Sequence, residues 1–110
     1  MLLYHATNAL VDSSFLDFPK LSKAINDVLP SFYLGNDVNV VKNYGRTIVV
    51  YELSNEVYES IAFTVRAIDR RHEDGLATYA ECAQGGMEWV ISTQADLDIL
   101  VLDATDIYTL

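Results

Sequence analysis

Ser31-Phe32-Tyr33-Leu34-Gly35-Asn36-Asp37-Val38-Asn39-Val40-Val41-Lys42-Asn43-Tyr44-Gly45 decides how the rest of the chain is read. It opens as a short apolar run, so residues 32–34 read as an extended strand. Gly35-Asn36-Asp37 is then a turn and helix N-cap signal, with the Asn36 side chain able to accept a bond from a free N–H of the first turn. Val38 and Val41, with Lys42 beyond them, follow a helical spacing. Tyr44-Gly45 closes a short helix over 36–44 with a C-cap glycine. One tyrosine therefore stands at a strand end and a second at the end of the next helix. Such a pair can sandwich a flat ring. Two tyrosines packed in a core would give the same letters, since aromatic burial is the default.

Working outward, residues 2–6 read as a strand, and residues 47–53, dense in β-branched residues, as the clearest strand of the chain. Asp17-Phe18-Pro19 starts a helix with Leu21, Ala24, Ile25 and Val28 on one face and Pro30 beyond its end. Ser54-Asn55 caps another, in which Val57, Ile61, Val65 and Ile68 form one apolar face. Arg66, Arg70, Arg71 and His72 make a small basic spot, followed at once by Glu73-Asp74. A solvated helix end with cations near its C-terminus accounts for it; a patch for nucleic acid or a phosphate is the alternative. Gly75 breaks that helix, and residues 76–83 read as a second, shorter one. After the turn Gln84-Gly85-Gly86, residues 88–93 read as a strand. Residues 97–102 read as another, across the turn-like Gln94-Ala95-Asp96. Helices with several short strands predict an α+β fold, and residues 1–110 a single domain.

The composition agrees. The chain is 51% hydrophobic and 11% aromatic, which argues for a packed core against disorder. The formal net charge is −9. So acidic a surface disfavours general nucleic-acid or anionic-membrane binding and suits docking to a basic partner. One cysteine, Cys82, excludes an internal disulfide and fits a reducing cytoplasm. The sequence predicts no signal peptide, because no basic region precedes Leu2-Leu3 and His5 and Asn8 interrupt the run. No apolar run reaches the roughly 18 residues of a membrane span. Two histidines and one cysteine make no zinc spacing, so no metal is expected. No context supports a Cys-His nucleophile pair.

Three stretches stand in order: Leu2-Leu3-Tyr4-His5-Ala6-Thr7, the Tyr33 to Tyr44 segment, and Met87-Glu88-Trp89-Val90-Ile91-Ser92. Together they resemble the His-Tyr-Glu branch of the ADP-ribosyltransferase superfamily, which includes the poly(ADP-ribose) polymerases and diphtheria-toxin-like enzymes. That family opens with a strand ending in His-Gly-Ser/Thr. It continues with an Ile-Tyr-Phe-like strand and a short helix ending in Asn-Tyr, and ends with a strand starting Glu-Tyr/Trp-Val-Val/Ile. The resemblance covers most of the chain. It implies a small split β-sandwich with short helices flanking an NAD cleft.

The resemblance also implies roles. Breaking the nicotinamide–ribose bond of NAD needs little covalent help, because the leaving group already carries a positive charge and the transition state resembles an oxocarbenium ion. The protein must hold the ring, orient the ribose and present negative charge to the developing cation, as glycosidases do with a carboxylate. Glu88 would supply that charge and bond the nicotinamide-ribose 2′-hydroxyl; the alternative is an exposed edge-strand glutamate. Tyr33 would stack on nicotinamide and Tyr44 cover its other face, each worth about 0.5–2 kcal/mol by cation–π attraction. His5 would bond the adenine-side ribose, with Thr7 in support and the Ala6 backbone holding the carboxamide. A satisfied core histidine is the alternative for His5.

Three departures stand against the family's pattern. Ala6 replaces the usual glycine after the histidine. Pro30-Ser31-Phe32 replaces the glycine that often precedes the strand tyrosine. Val41 stands where polymerases have a serine that bonds the carboxamide, a loss of about 0.5–1.5 kcal/mol. The chain also lacks a Gly-x-Gly phosphate cradle. The expectation is an NAD-dependent mono-ADP-ribosyltransferase acting on a protein acceptor with a basic surface, in the cytoplasm of the producing or host cell. Small stand-alone members of the superfamily include bacterial toxins and phage-encoded effectors, some anti-CRISPR proteins among them. The rival readings are an NAD glycohydrolase and a non-catalytic acidic binding module on the same fold.

Overall fold

The computed structural model describes residues 1–8, 31–68 and 77–110. The helix expected from Asp17 and the Arg70–His72 part of the basic spot lie outside them. The fold is α+β, built on one six-stranded antiparallel sheet. Its elements are β1 (Leu2–Thr7), β2 (Phe32–Gly35), α1 (Val38–Val41), β3 (Thr47–Glu52), α2 (Asn55–Ser60), β4 (Thr64–Ala67), a 3₁₀ turn (Tyr79–Glu81), β5 (Met87–Ile91), α3 (Gln94–Asp103) and β6 (Asp106–Thr109). The strand order is β4-β5-β2-β1-β3-β6.

Alternation along the strands divides the side chains between two faces. Leu3, Phe32, Leu34, Val49, Tyr51, Trp89 and Ile91 point one way and bury themselves under Leu97 and Leu100 of α3 and Ile61 after α2. Ala6, with Tyr4 and Ile48 at its margin, points the other way and packs on Val40 and Val41 of α1, Ile68, Ala77 and Cys82. Gly35 lets α1 lie this close: a Cβ there would stand 2.9 Å from Val40 Cβ and Cγ1.

Pairing is uneven across the sheet. β1 and β3 match over their whole length, from Leu2↔Glu52 to Thr7↔Thr47, and β2 matches β5 from Phe32↔Ile91 to Gly35↔Glu88. Between β1 and β2 the register holds at Tyr4↔Gly35. The sheet is thus two well-knit halves, β4-β5-β2 and β1-β3-β6, joined along a narrow seam.

Several expectations are corrected. Residues 97–102 are not a strand but the body of α3. Thr93 caps it, its hydroxyl accepting from Asp96 N–H at 3.2 Å and donating to Asp96 Oδ2 at 2.9 Å, and Leu97 and Leu100 fill the core at helical spacing. The long helix over Val57, Ile61, Val65 and Ile68 is also wrong. Ser54 does cap α2 by accepting from Val57 N–H, but the helix ends at Ser60, and Thr64–Ala67 becomes edge strand β4. The β-branched pair Thr64-Val65 favours that outcome. The helix expected over 76–83 shrinks to the 3₁₀ turn. The helix over 36–44 shortens to α1, capped by Asp37, whose side chain accepts from Asn39 N–H at 2.9 Å. Gly45 is not a left-handed cap: among the described glycines the positive φ belongs to Gly85, at 72°.

Candidate functional site

The expected residues gather around the seam. Glu88 is the second residue of β5, an interior strand of the sheet, and it is buried. That disposes of the exposed edge-strand alternative. Its register partners are Gly35 on β2 and Arg66 on β4, and Gly35 in turn faces Tyr4 on β1. One row therefore runs Arg66, Glu88, Gly35, Tyr4. Arg66 Nε donates to Glu88 Oε2 at 2.5 Å, with the arginine side chain 52% exposed and the glutamate 7%. The basic spot read from sequence is thus divided: Arg66 belongs to a strand and answers Glu88.

Tyr33, half-buried, precedes Gly35 by two residues and so shares the face of Glu88 and Ala6. His5 and Thr7 alternate to the other face, in register with Val49 and Thr47. His5 still meets β2 across the seam. Its Nδ1 lies 2.7 Å from the Tyr33 carbonyl oxygen, and its ring stacks on Phe32 at 3.9 Å between centroids. Because a carbonyl only accepts, Nδ1 carries the proton in the neutral ring and Nε2 is left as an acceptor. Burial favours that neutral form and lowers the pKa below the usual 6.5, partly offset by the bond to Tyr33.

Tyr44 reaches the same region from the end of α1. Gly45 passes so close to β1 that a Cβ would stand 2.4 Å from the Thr7 carbonyl carbon and nitrogen. Asn8 Oδ1 accepts from Arg46 N–H at 2.9 Å, so the 44–46 segment is tied to the end of β1. Tyr44 itself is 45% exposed, which excludes the core-packing alternative for this tyrosine. Ala6 and Val41, two of the positions that depart from the family's pattern, are both buried in one apolar cluster, so their methyl groups serve the packing of α1 on β1.

Sequence reasoning gave Asn36 the wrong task and Arg66 the wrong element. The Asn36 side chain donates to the Gly85 carbonyl at 2.9 Å and accepts from Met87 N–H at 2.9 Å, while its own N–H donates to the Met87 carbonyl at 3.3 Å. It thus extends the β2–β5 ladder past Gly35 and fixes the backbone that leads into Glu88. Asp37 joins in, Oδ2 accepting from Ala83 N–H at 3.2 Å. The signal for Arg66 was the run Thr64-Val65-Arg66-Ala67, which alternates at strand period just where the helical count was continued.

Cys82 is buried, and desolvation followed by the charges of Asp37 and Glu81 pushes its thiol up, with Lys42 opposing. That is the wrong direction for a nucleophile. Among the described residues no group of three or more His, Cys, Asp or Glu side chains is arranged to hold a metal, and no helix is long and apolar enough to cross a membrane. No family model, curated protein or solved structure matches the chain.

Proposed function

We propose that the chain is an NAD-dependent mono-ADP-ribosyltransferase acting on a protein acceptor. The observation that carries the reading is the buried Glu88 carboxylate, one strand from the seam and on the face of Tyr33, with His5 bonded to the Tyr33 carbonyl across the seam from the other face and Tyr44 brought to the end of β1. A buried carboxylate this near the seam suits the anomeric carbon of a ribose. In the reaction the bond from C1′ to the nicotinamide nitrogen breaks and its electrons return to the ring, which leaves neutral. The acceptor's nucleophile bonds to C1′ and gives up its proton. Glu88 holds the 2′-hydroxyl and opposes the positive charge that grows on the ribose ring. Tyr33 and Tyr44 hold the nicotinamide between aromatic faces. His5, neutral with Nε2 as acceptor, takes a hydroxyl of the adenine-side ribose.

The narrow contact between β1 and β2 supports a split β-sandwich of the ADP-ribosyltransferase type, the seam serving as the NAD cleft. The negative net charge supports an acceptor with a basic surface and disfavours general nucleic-acid binding. Action in the cytoplasm of a producing or host cell, as a bacterial or phage effector such as a toxin or anti-CRISPR protein, fits a small acidic domain.

The test is incubation with NAD and candidate proteins. Nicotinamide release and a mass gain of one ADP-ribosyl group on a partner are expected, both lost in Glu88→Gln by roughly 10²–10³-fold, as for other lost electrostatic contacts to a transition state. The amide keeps the size of the side chain, so the fold survives. Wild-type turnover by Glu88→Gln would remove Glu88 from the site. Free ADP-ribose with no labelled acceptor would make the protein a glycohydrolase. NAD that neither binds nor is consumed would leave a binding module.

A further inference from the structure

We infer that Arg66 is a positioning residue for Glu88: it holds one carboxylate oxygen so that the other faces the ribose. The inference rests on the proposed role of Glu88. The two residues are register partners on β4 and β5, and Arg66 Nε donates to Oε2. Among the described residues Oε1 accepts no hydrogen bond. The other groups directly beside Glu88 on its face are Gly86 and Val90 along its own chain and Gly35 across on β2. None of these has a polar side chain. Arg66 is therefore the group among the immediate neighbours that can set the plane of the carboxylate.

A role in stability and a role in positioning make different predictions for this arrangement. The arginine side chain is 52% exposed and the glutamate 7%, so the pair also keeps a buried charge partnered, and only a positioning role makes kcat depend on the guanidinium. A buried carboxylate with a single anchored oxygen is fixed in direction, with its second oxygen left to accept. That is what an interaction with a ribose hydroxyl requires, since a misplacement of about 1 Å in such a group costs on the order of 10²-fold in rate.

The experiment measures NAD turnover by the full chain, its Arg66→Ala and Arg66→Lys variants, and Arg66→Ala with guanidinium chloride added at millimolar levels well below denaturing ones. The expected result is a kcat for Arg66→Ala lower by roughly 10²-fold, with KM for NAD unchanged. Arg66→Lys is expected to recover part of the loss, and added guanidinium to raise the rate of Arg66→Ala but not of the parent. An unchanged kcat in Arg66→Ala would overturn the inference. So would a loss confined to KM, which makes Arg66 a binding group for NAD. Equal loss in both variants with no response to guanidinium would also overturn it, reducing Arg66 to a structural role. No turnover by the unsubstituted chain would overturn the NAD reading itself and this inference with it, an outcome distinct from the other three.

Discussion

Gly45→Ala probes the join that brings Tyr44 to the seam. A Cβ at position 45 would stand 2.4 Å from the Thr7 carbonyl carbon and nitrogen and 2.6 Å from its Cα. Non-bonded carbons rest about 3.5–4.0 Å apart, so the two backbones must part by about 1 Å. Neither gives way easily. Thr7 is paired with Thr47 in the sheet, and Asn8 holds the Arg46 N–H. Overpacking of this kind costs typically about 1–3 kcal/mol. At roughly 4 °C per kcal/mol for a domain of this length, calorimetry should record a melting temperature lower by roughly 4–12 °C. The same displacement carries Tyr44 away from β1, and on the proposed function NAD turnover falls by roughly 10²-fold. Gly45→Asn separates this cause from the other common one. A left-handed cap tolerates asparagine better than alanine, whereas a close approach to backbone rejects the larger side chain at least as strongly. An unchanged melting temperature in Gly45→Ala, or an asparagine better tolerated than alanine, would refute the close-approach reasoning.

Three further outcomes are expected. Tyr33→Ala should weaken NAD use more than Tyr33→Phe, because stacking needs the ring and not the hydroxyl; equal losses on NAD titration would assign the work to the hydroxyl. Free agmatine should be a poor acceptor, and Gly86→Glu should not improve it. On the proposed function Gly86 stands where arginine-modifying ADP-ribosyltransferases orient the incoming nitrogen with a side chain, and a Cβ here would meet Cys82 Sγ at 3.2 Å and Ile68 Cβ at 3.4 Å; efficient, Gln84-dependent formation of ADP-ribosyl-agmatine would defeat this. The melting temperature should fall on acidification in a manner that His5→Gln reduces. The folded state holds His5 below the unfolded value of about 6.5, so its contribution is complete above that pH and is lost as pH falls through the lower, folded pKa. Identical pH profiles for the two proteins would show that His5 does not titrate against the fold.

The strands that carry the candidate site were legible because they are short, apolar and bounded. Phe32–Gly35, Thr47–Glu52 and Met87–Ile91 all sit where β-branched and aromatic letters cluster between turn residues. The errors came where two periods compete. Val57, Ile61 and Val65 satisfy a helical count, yet Thr64–Ala67 pays no helical dividend once it can pair with the far side of β5. Leu97–Leu102 satisfies a strand composition, yet the Thr93 cap and the need to cover Trp89 and Leu34 make it a helix. Neither outcome is local. Asn36 and Arg66 were misread for the same reason: their partners lie 51 and 22 residues away. A pattern confined to neighbouring letters cannot report them. Gly45 looked like a cap because its true constraint, the backbone of Thr7, is likewise far away in sequence.

The Asn36 clamp has a consequence for how the chain can vary in length. Its amide grips the backbone at Gly85 and again at Met87, one residue before Glu88. The spacing between those two points must equal the reach of a single side chain, so no residue can be inserted or deleted there without moving the carboxylate off its row. Upstream of Gly85 the gauge continues, since Asp37 Oδ2 accepts from Ala83 N–H and the Gly85 and Gly86 N–H groups donate to the Cys82 and Tyr79 carbonyls. Variants of this domain should therefore keep the whole step from Tyr79 to Glu88 fixed in length.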